Sequence, residues 1–268
     1  MAPAWNAGSR ATASWVRIPP PPPRSLHLAD EERETAHVSS TPPRILVIED
    51  APDLRALLRA LLADDGFELH EAPDGATGLV LAQEIQPDLV ILDVGLPVID
   101  GVEVCRRLRA FSDAYVLMLT GRAEETDKLI GLSVGADDYV TKPFSPRELA
   151  ARVKAMLRRP RANVDGPGTD RTFDGLRIDV AGRRVFLDET EVAMTKSEFD
   201  LLDVLSASPG RILTRAQLLE HLWAREWTGD DHVIDVHMSN LRRKIESDPK
   251  HPRFVHTVRG VGFRFGGR

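Results

Sequence analysis

The sequence predicts an α/β fold, a doubly wound parallel sheet, followed by a smaller α+β domain. Three observations carry this. Short apolar runs recur at Arg44-Ile45-Leu46-Val47-Ile48, Asp88-Leu89-Val90-Ile91-Leu92-Asp93, Val116-Leu117-Met118-Leu119 and Asp138-Tyr139-Val140-Thr141. Runs of this kind suit strands covered on both faces. Between them, apolar residues recur at helical spacing: Leu54, Leu57, Leu58, Leu61 and Leu62; Val102, Val104, Cys105 and Leu108; Leu149, Val153, Met156 and Leu157. Alternating strand and helix means a parallel sheet. After a Pro- and Gly-containing break at 160–170, the pattern changes to alternating strands and capped helices.

Taken in order, residues 1–43 are expected to be disordered. They contain the unbroken run Pro19 to Pro23, which can only be extended, amid Ala, Ser and Arg. Trp5 and Trp15 read as part of that tail, and the globular pattern begins near Arg44. The first strand then ends on Glu49 and Asp50. The next run ends on Asp93, the third on Thr120, and the fourth is followed by Lys142-Pro143. In an open parallel sheet the crevice lies beyond the carboxyl ends of the strands, so these side chains meet there. Converging carboxylates repel one another, and a hard divalent cation resolves the repulsion; oxygen ligands of this kind suit Mg²⁺.

Ile48-Glu49-Asp50, Leu92-Asp93, Leu119-Thr120, Gly135-Ala136-Asp137-Asp138-Tyr139 and Thr141-Lys142-Pro143-Phe144 resemble the receiver domain of two-component response regulators, over about residues 44–159. The resemblance implies a flavodoxin-like, five-stranded sheet. It implies that Asp93 is phosphorylated by a sensor histidine kinase, and that Glu49, Asp50, Asp93 and the Gly95 carbonyl hold Mg²⁺. Thr120 and Lys142 would bind the phosphoryl group, with Lys142-Pro143 a candidate cis bond, and Tyr139 would be the switch aromatic. Gly121 stands where the family usually has Ala, which should slightly loosen the loop. Lys128, Asp137, Asp138, Glu148, Arg152 and Lys154 fall where the OmpR/PhoB subfamily places intersubunit salt bridges, implying a homodimer when phosphorylated.

Residues 160–170 read as a linker and 171–268 as the second domain. Leu176-Arg177-Ile178-Asp179-Val180 alternates as a half-buried strand and pairs with Arg184-Val185-Phe186-Leu187. Thr195-Lys196-Ser197-Glu198 and Thr214-Arg215-Ala216-Gln217 are capping boxes that open two helices. A third helix, about Asp231 to Glu246, has Ile234, Met238, Leu241 and Ile245 on one face. Its other face shows Val236, Ser239, Asn240 and Arg243, with Arg242 on the flank, a set that suits a DNA major groove. Phe254 to Val258 and Gly262 to Phe265 form a hairpin around Arg259-Gly260-Val261. Asp235 to Lys244, with Thr257-Val258-Arg259-Gly260-Val261-Gly262, resembles the winged-helix effector of the OmpR/PhoB subfamily. The resemblance implies double-stranded DNA at promoter direct repeats as a partner, Arg259 in a minor groove, and RNA polymerase as a further partner.

Charge agrees with this order. The chain carries −6 overall. Residues 44–159 hold 14 basic against 20 acidic residues, whereas 239–268 hold 8 against 2. An acidic front suits a cation and a basic end suits a polyanion. Cys105 is the single cysteine and reads as core. No apolar run approaches the ~18 residues of a membrane span, so a cytoplasmic protein without membrane association is expected. His221, His232 and His237 lack a cysteine or carboxylate pattern and read as surface or capping residues. An aspartyl-phosphate-forming phosphatase of the haloacid-dehalogenase type carries a second acid two residues after its nucleophile; here that residue is Gly95. There is no Walker loop either, so a regulator rather than an enzyme is expected. A regulator that works without phosphate, using its receiver mainly to dimerise, is the remaining alternative.

Overall fold

The computed structural model describes residues 41–121, 131–157, 170–223 and 231–266. Its first part is a five-stranded parallel sheet: β1 (Arg44–Ile48), β2 (Glu68–Ala72), β3 (Leu89–Asp93), β4 (Tyr115–Thr120) and β5 (Asp138–Thr141). The strand order is β2-β1-β3-β4-β5. The order reverses between β1 and β3, so the crevice beyond their carboxyl ends is the switch point where such sheets bind ligands. β3 and β4 are buried along their whole length. That burial explains why their sequences are apolar rather than alternating.

Helices α1 (Pro52–Leu62), α2 (Gly75–Ile85), α3 (Gly101–Leu108) and α4 (Pro146–Leu157) pack on this sheet. Each opens on a local signal. Pro52 sits at the start of α1, Asp74 caps α2 through the Thr77 amide, and Asp100 caps α3 through the Glu103 amide. α1 buries Leu58 and Leu62 but leaves Leu57 exposed, so the leucine stripe is narrower than its spacing suggests. β2 and α2 lack a strong pattern. Glu68-Leu69-His70-Glu71-Ala72 is an edge strand that buries only Ala72 fully. The glycines of α2 serve proximity, because a Cβ on Gly78 would lie 2.4 Å from Ile48 Cδ1.

The second part begins with an antiparallel sheet of β6 (Arg171–Phe173), β7 (Leu176–Asp179), β8 (Arg184–Leu187) and β9 (Thr190–Glu191). Three helices follow: α5 (Lys196–Ser206), α6 (Arg215–Trp223) and α7 (His232–Ile245). Both expected capping boxes form. Thr195 and Glu198 exchange hydrogen bonds at the start of α5, and Thr214 and Gln217 do so at the start of α6. β10 (Ile212–Thr214), β11 (Val255–Val258) and β12 (Gly262–Phe265) make an antiparallel sheet ordered β10-β12-β11. Helices with a C-terminal β-hairpin form a winged-helix architecture.

Candidate functional sites

β1 ends at Ile48, so Glu49 and Asp50 leave the sheet together, and β3 ends at Asp93. Oxygens of Glu49, Asp50 and Asp93 lie within 4.8 Å of one another. Glu49 and Asp93 are buried while Asp50 is exposed, which leaves the cluster open on one side. Lys142, just past β5, reaches back. Its Nζ donates to Glu49 Oε2 and Asp93 Oδ1, both at 2.8 Å. The Lys142–Pro143 peptide is cis, as the motif implied.

The electrostatics follow from this packing. Burial raises the Glu49 pKa and the Asp93 charge adds to the rise, while the Lys142 hydrogen bond opposes it. Burial pulls the Lys142 ammonium down, but its bonds to Asp93 and Glu49 more than offset this, so its pKa is raised. Lys142 therefore stays charged at neutral pH. Arg55 braces the loop by donating to the Glu49 and Asp50 carbonyls at 2.6 and 2.9 Å. Gly95 lies beside the acids, and a Cβ there would be 3.4 Å from Asp93 Oδ2. Three clustered carboxylates with too little positive charge between them fit a hard divalent cation. Thr120 is buried at the end of β4 and donates its hydroxyl to the Gly121 carbonyl at 2.8 Å. Tyr139 is half-buried on β5.

Lys128 lies outside the described residues. The other charges of its expected set pair within the chain. Arg152 donates to Asp138 at 2.6 Å and to Glu148 at 2.8 Å, and is only 6% exposed. Asp137 pairs with Arg109, and Lys154 with Asp65.

On α7, Ser239 and Arg243 are exposed and Val236 is half-buried. Arg259 is exposed between β11 and β12. Arg242, expected on the flank, is half-buried: it donates to the Val255 carbonyl and to Thr257 Oγ1, both at 2.8 Å. Asn240 is 4% exposed, with its Nδ2 donating to the Leu132 carbonyl of the first part at 2.9 Å. Arg243 donates to Asn240 Oδ1. His237, expected at the surface or in a cap, is instead 1% exposed, and its Nε2 lies 2.8 Å from the Asp137 carbonyl. The helical spacing held the clue, since position 237 borders the apolar stripe of Ile234, Met238 and Leu241. What covers it comes from a segment 100 residues away.

Comparisons with known proteins agree with this geometry. Residues 45–154 match the response regulator receiver domain, and residues 189–265 match the C-terminal domain of transcriptional regulatory proteins. The DNA-binding response regulator MtrA of Mycolicibacterium smegmatis is 43% identical over 83% of this chain and 96% of its own length. The transcriptional regulatory protein PrrA of Mycobacterium tuberculosis is 45% identical over the same shares. A solved structure of a RitR mutant aligns with TM-score 0.69 and 29% identity over 83% of this chain and 98% of its own. With its acidic cluster at the sheet edge and its winged helix behind, this chain belongs to the DNA-binding two-component response regulators of the OmpR/PhoB type.

Proposed function

We propose that Asp93 accepts a phosphoryl group from a sensor histidine kinase and that this controls sequence-specific DNA binding through α7. The observation that carries the reading is Lys142 Nζ held 2.8 Å from both Glu49 and Asp93, inside a cluster of three acids. A carboxylate oxygen of Asp93 attacks phosphorus, the P–N bond of a phosphohistidine breaks, and an acyl phosphate forms as the histidine leaves with the electron pair. Lys142 neutralises charge on the transferring oxygens, and Thr120 turns its hydroxyl from Gly121 toward them. Glu49, Asp50, Asp93 and the Gly95 carbonyl would hold Mg²⁺, which would supply the remaining charge neutralisation. Tyr139, on the strand beside Thr120, reports that rotation to the outer face.

Residues 44–159 act as the receiver and 171–268 as the effector. Phosphorylated chains pair through the face of β5 and α4 that carries Asp138, Glu148 and Arg152, with Lys128, Asp137 and Lys154 beside them. In the free chain Arg152 already serves Asp138, so dimer contacts there extend a buried ion-pair network. Val236, Ser239, Asn240 and Arg243 read base edges, Arg259 enters a flanking minor groove, and Arg242 supports the wing. Direct-repeat promoter DNA and RNA polymerase are the output partners, in the cytoplasm. Among the described residues no helix is long and apolar enough to cross a membrane. A turnover phosphatase is disfavoured by Gly95, which stands where that class needs an acid.

Intact mass after treatment with acetyl phosphate and Mg²⁺ tests the acceptor. Wild type should gain one phosphoryl group, and Asp93→Asn none. Asp50→Ala should lose the label with the metal. Equal uptake by wild type and Asp93→Asn would overturn the assignment.

A further inference from the structure

The DNA-reading helix is docked on the receiver through two main-chain carbonyls, and this inference rests on the reading above. Asn240 Nδ2 donates to Leu132 O at 2.9 Å, and His237 Nε2 lies 2.8 Å from Asp137 O. Neither side chain can turn toward DNA while those bonds hold. Docking therefore requires the segment 132–137 to present both carbonyls on one side. What gives the segment that shape is Arg109, at the end of α3. Its Nε donates to the Gly135 carbonyl at 2.8 Å, one terminal nitrogen to Ala114 O at 2.6 Å, and the other to Asp137 Oδ2 at 2.8 Å. The same Asp137 oxygen also accepts the Val116 amide at 2.9 Å. Gly135 has φ +112°, and a Cβ there would lie 3.0 Å from Arg109 Cγ, so the arginine stem packs against bare backbone. Val116 is near the start of β4, whereas Thr120 ends it. Arg109 thus lies at the end of the sheet opposite the acid cluster, and its hydrogen bonds go to Gly135, Ser112, Ala114 and Asp137, neither to the acid cluster nor to the residues proposed to read bases.

We propose that Arg109 is a positioning residue: together with Gly135 and Asp137 it forms a latch that holds the receiver segment against α7 and keeps the unphosphorylated protein from reading DNA. A protein whose competent state is only fractionally populated binds with an affinity reduced by that fraction. Releasing the latch raises the fraction, so it tightens DNA binding without any new DNA contact. A residue that only stabilises the fold would do the opposite, lowering both melting temperature and affinity.

The test uses the full chain and a duplex selected from random DNA by the phosphorylated wild type. Binding is followed by fluorescence anisotropy, with and without acetyl phosphate and Mg²⁺. Unphosphorylated Arg109→Ala should bind about ten-fold tighter than unphosphorylated wild type, within the usual range of allosteric coupling. The two phosphorylated proteins should bind alike, so the response to phosphate collapses in the variant. Arg109→Lys should fall between, because it keeps the charge beside Asp137 but cannot reach Gly135 O and Ala114 O at once. His237→Ala cuts the docking from the effector side and should shift affinity the same way. It decides alone if Arg109→Ala does not fold. If His237→Ala and a folded Arg109→Ala both bind no tighter than wild type before phosphorylation, the latch is wrong. Failure of the underlying reading looks different: wild type then shows no response to acetyl phosphate at all, and the latch falls with it.

Discussion

At Gly101 the chain has no room for a side chain. A Cβ there would sit 2.1 Å from the Asp93 carbonyl oxygen and 2.8 Å from Val94 Cα. Both neighbours are backbone, so Gly101→Ala must push on the strand end that carries Asp93. We expect a loss of about 1–3 kcal/mol in urea unfolding, the usual cost of overpacking, and slower uptake from acetyl phosphate although every acid remains. Cys105, on the same helix, is fully buried, and burial pushes its thiol pKa up to about 11. It should resist a thiol reagent at pH 8 until the protein unfolds, with labelling tracked by mass. The sign of its pH effect follows. The unfolded thiol ionises near pH 9 and the folded one near 11. Unfolding therefore releases a proton in that window, and stability is lost as pH rises through it. At this scale the convergence of Glu49, Asp50, Asp93 and Lys142 was legible, because chemistry and strand position coincide there. The sequence was silent at Arg109, and at His237 the helical spacing hinted at burial but not at the partner, which comes from a segment 100 residues away.

Among the elements, those with a strong period were legible and those shaped by their neighbours were not. β3 and β4 declare themselves because both faces are covered, while β2 is an edge strand with mixed polarity. The capping box of α5 was readable from four residues, and the structure adds that Glu198 also receives Lys244 of α7 at 2.6 Å. Thr195→Ala should cost about 1 kcal/mol, measurable in urea unfolding, by uncapping the helix. Arg152 shows the same layering. The family resemblance placed it in an intersubunit contact, and within the chain it is buried between Asp138 and Glu148. Burial pulls the guanidinium pKa down, but both carboxylates more than offset this, so it is raised. Arg152→Glu leaves the buried Asp138 facing a like charge and should destabilise the fold by about 3–5 kcal/mol, the usual cost of breaking such a pair. A dimer defect in that variant is meaningful only once its thermal melt is known.

For the whole molecule, two domains and their order were legible from the change of pattern and from the shift of charge along the chain. Their mutual packing was not. It depends on bonds between residues 100 and 108 positions apart, to carbonyls that no side-chain pattern encodes. One feature inside the effector bears on the shape of the operator. Arg242 fastens α7 to β11 through Val255 O and Thr257 Oγ1. If α7 and the wing read DNA as proposed, they meet it as one caliper with fixed jaws. A base pair inserted between the two segments they grip rotates one against the other by about 35° and shifts it by about 3.4 Å. Such an operator should bind markedly worse than the parent duplex, and Arg242→Ala should tolerate the insertion better than wild type in a competition assay. On that reading, the distance between the two gripped segments is set by a guanidinium bonded to the wing rather than to a base.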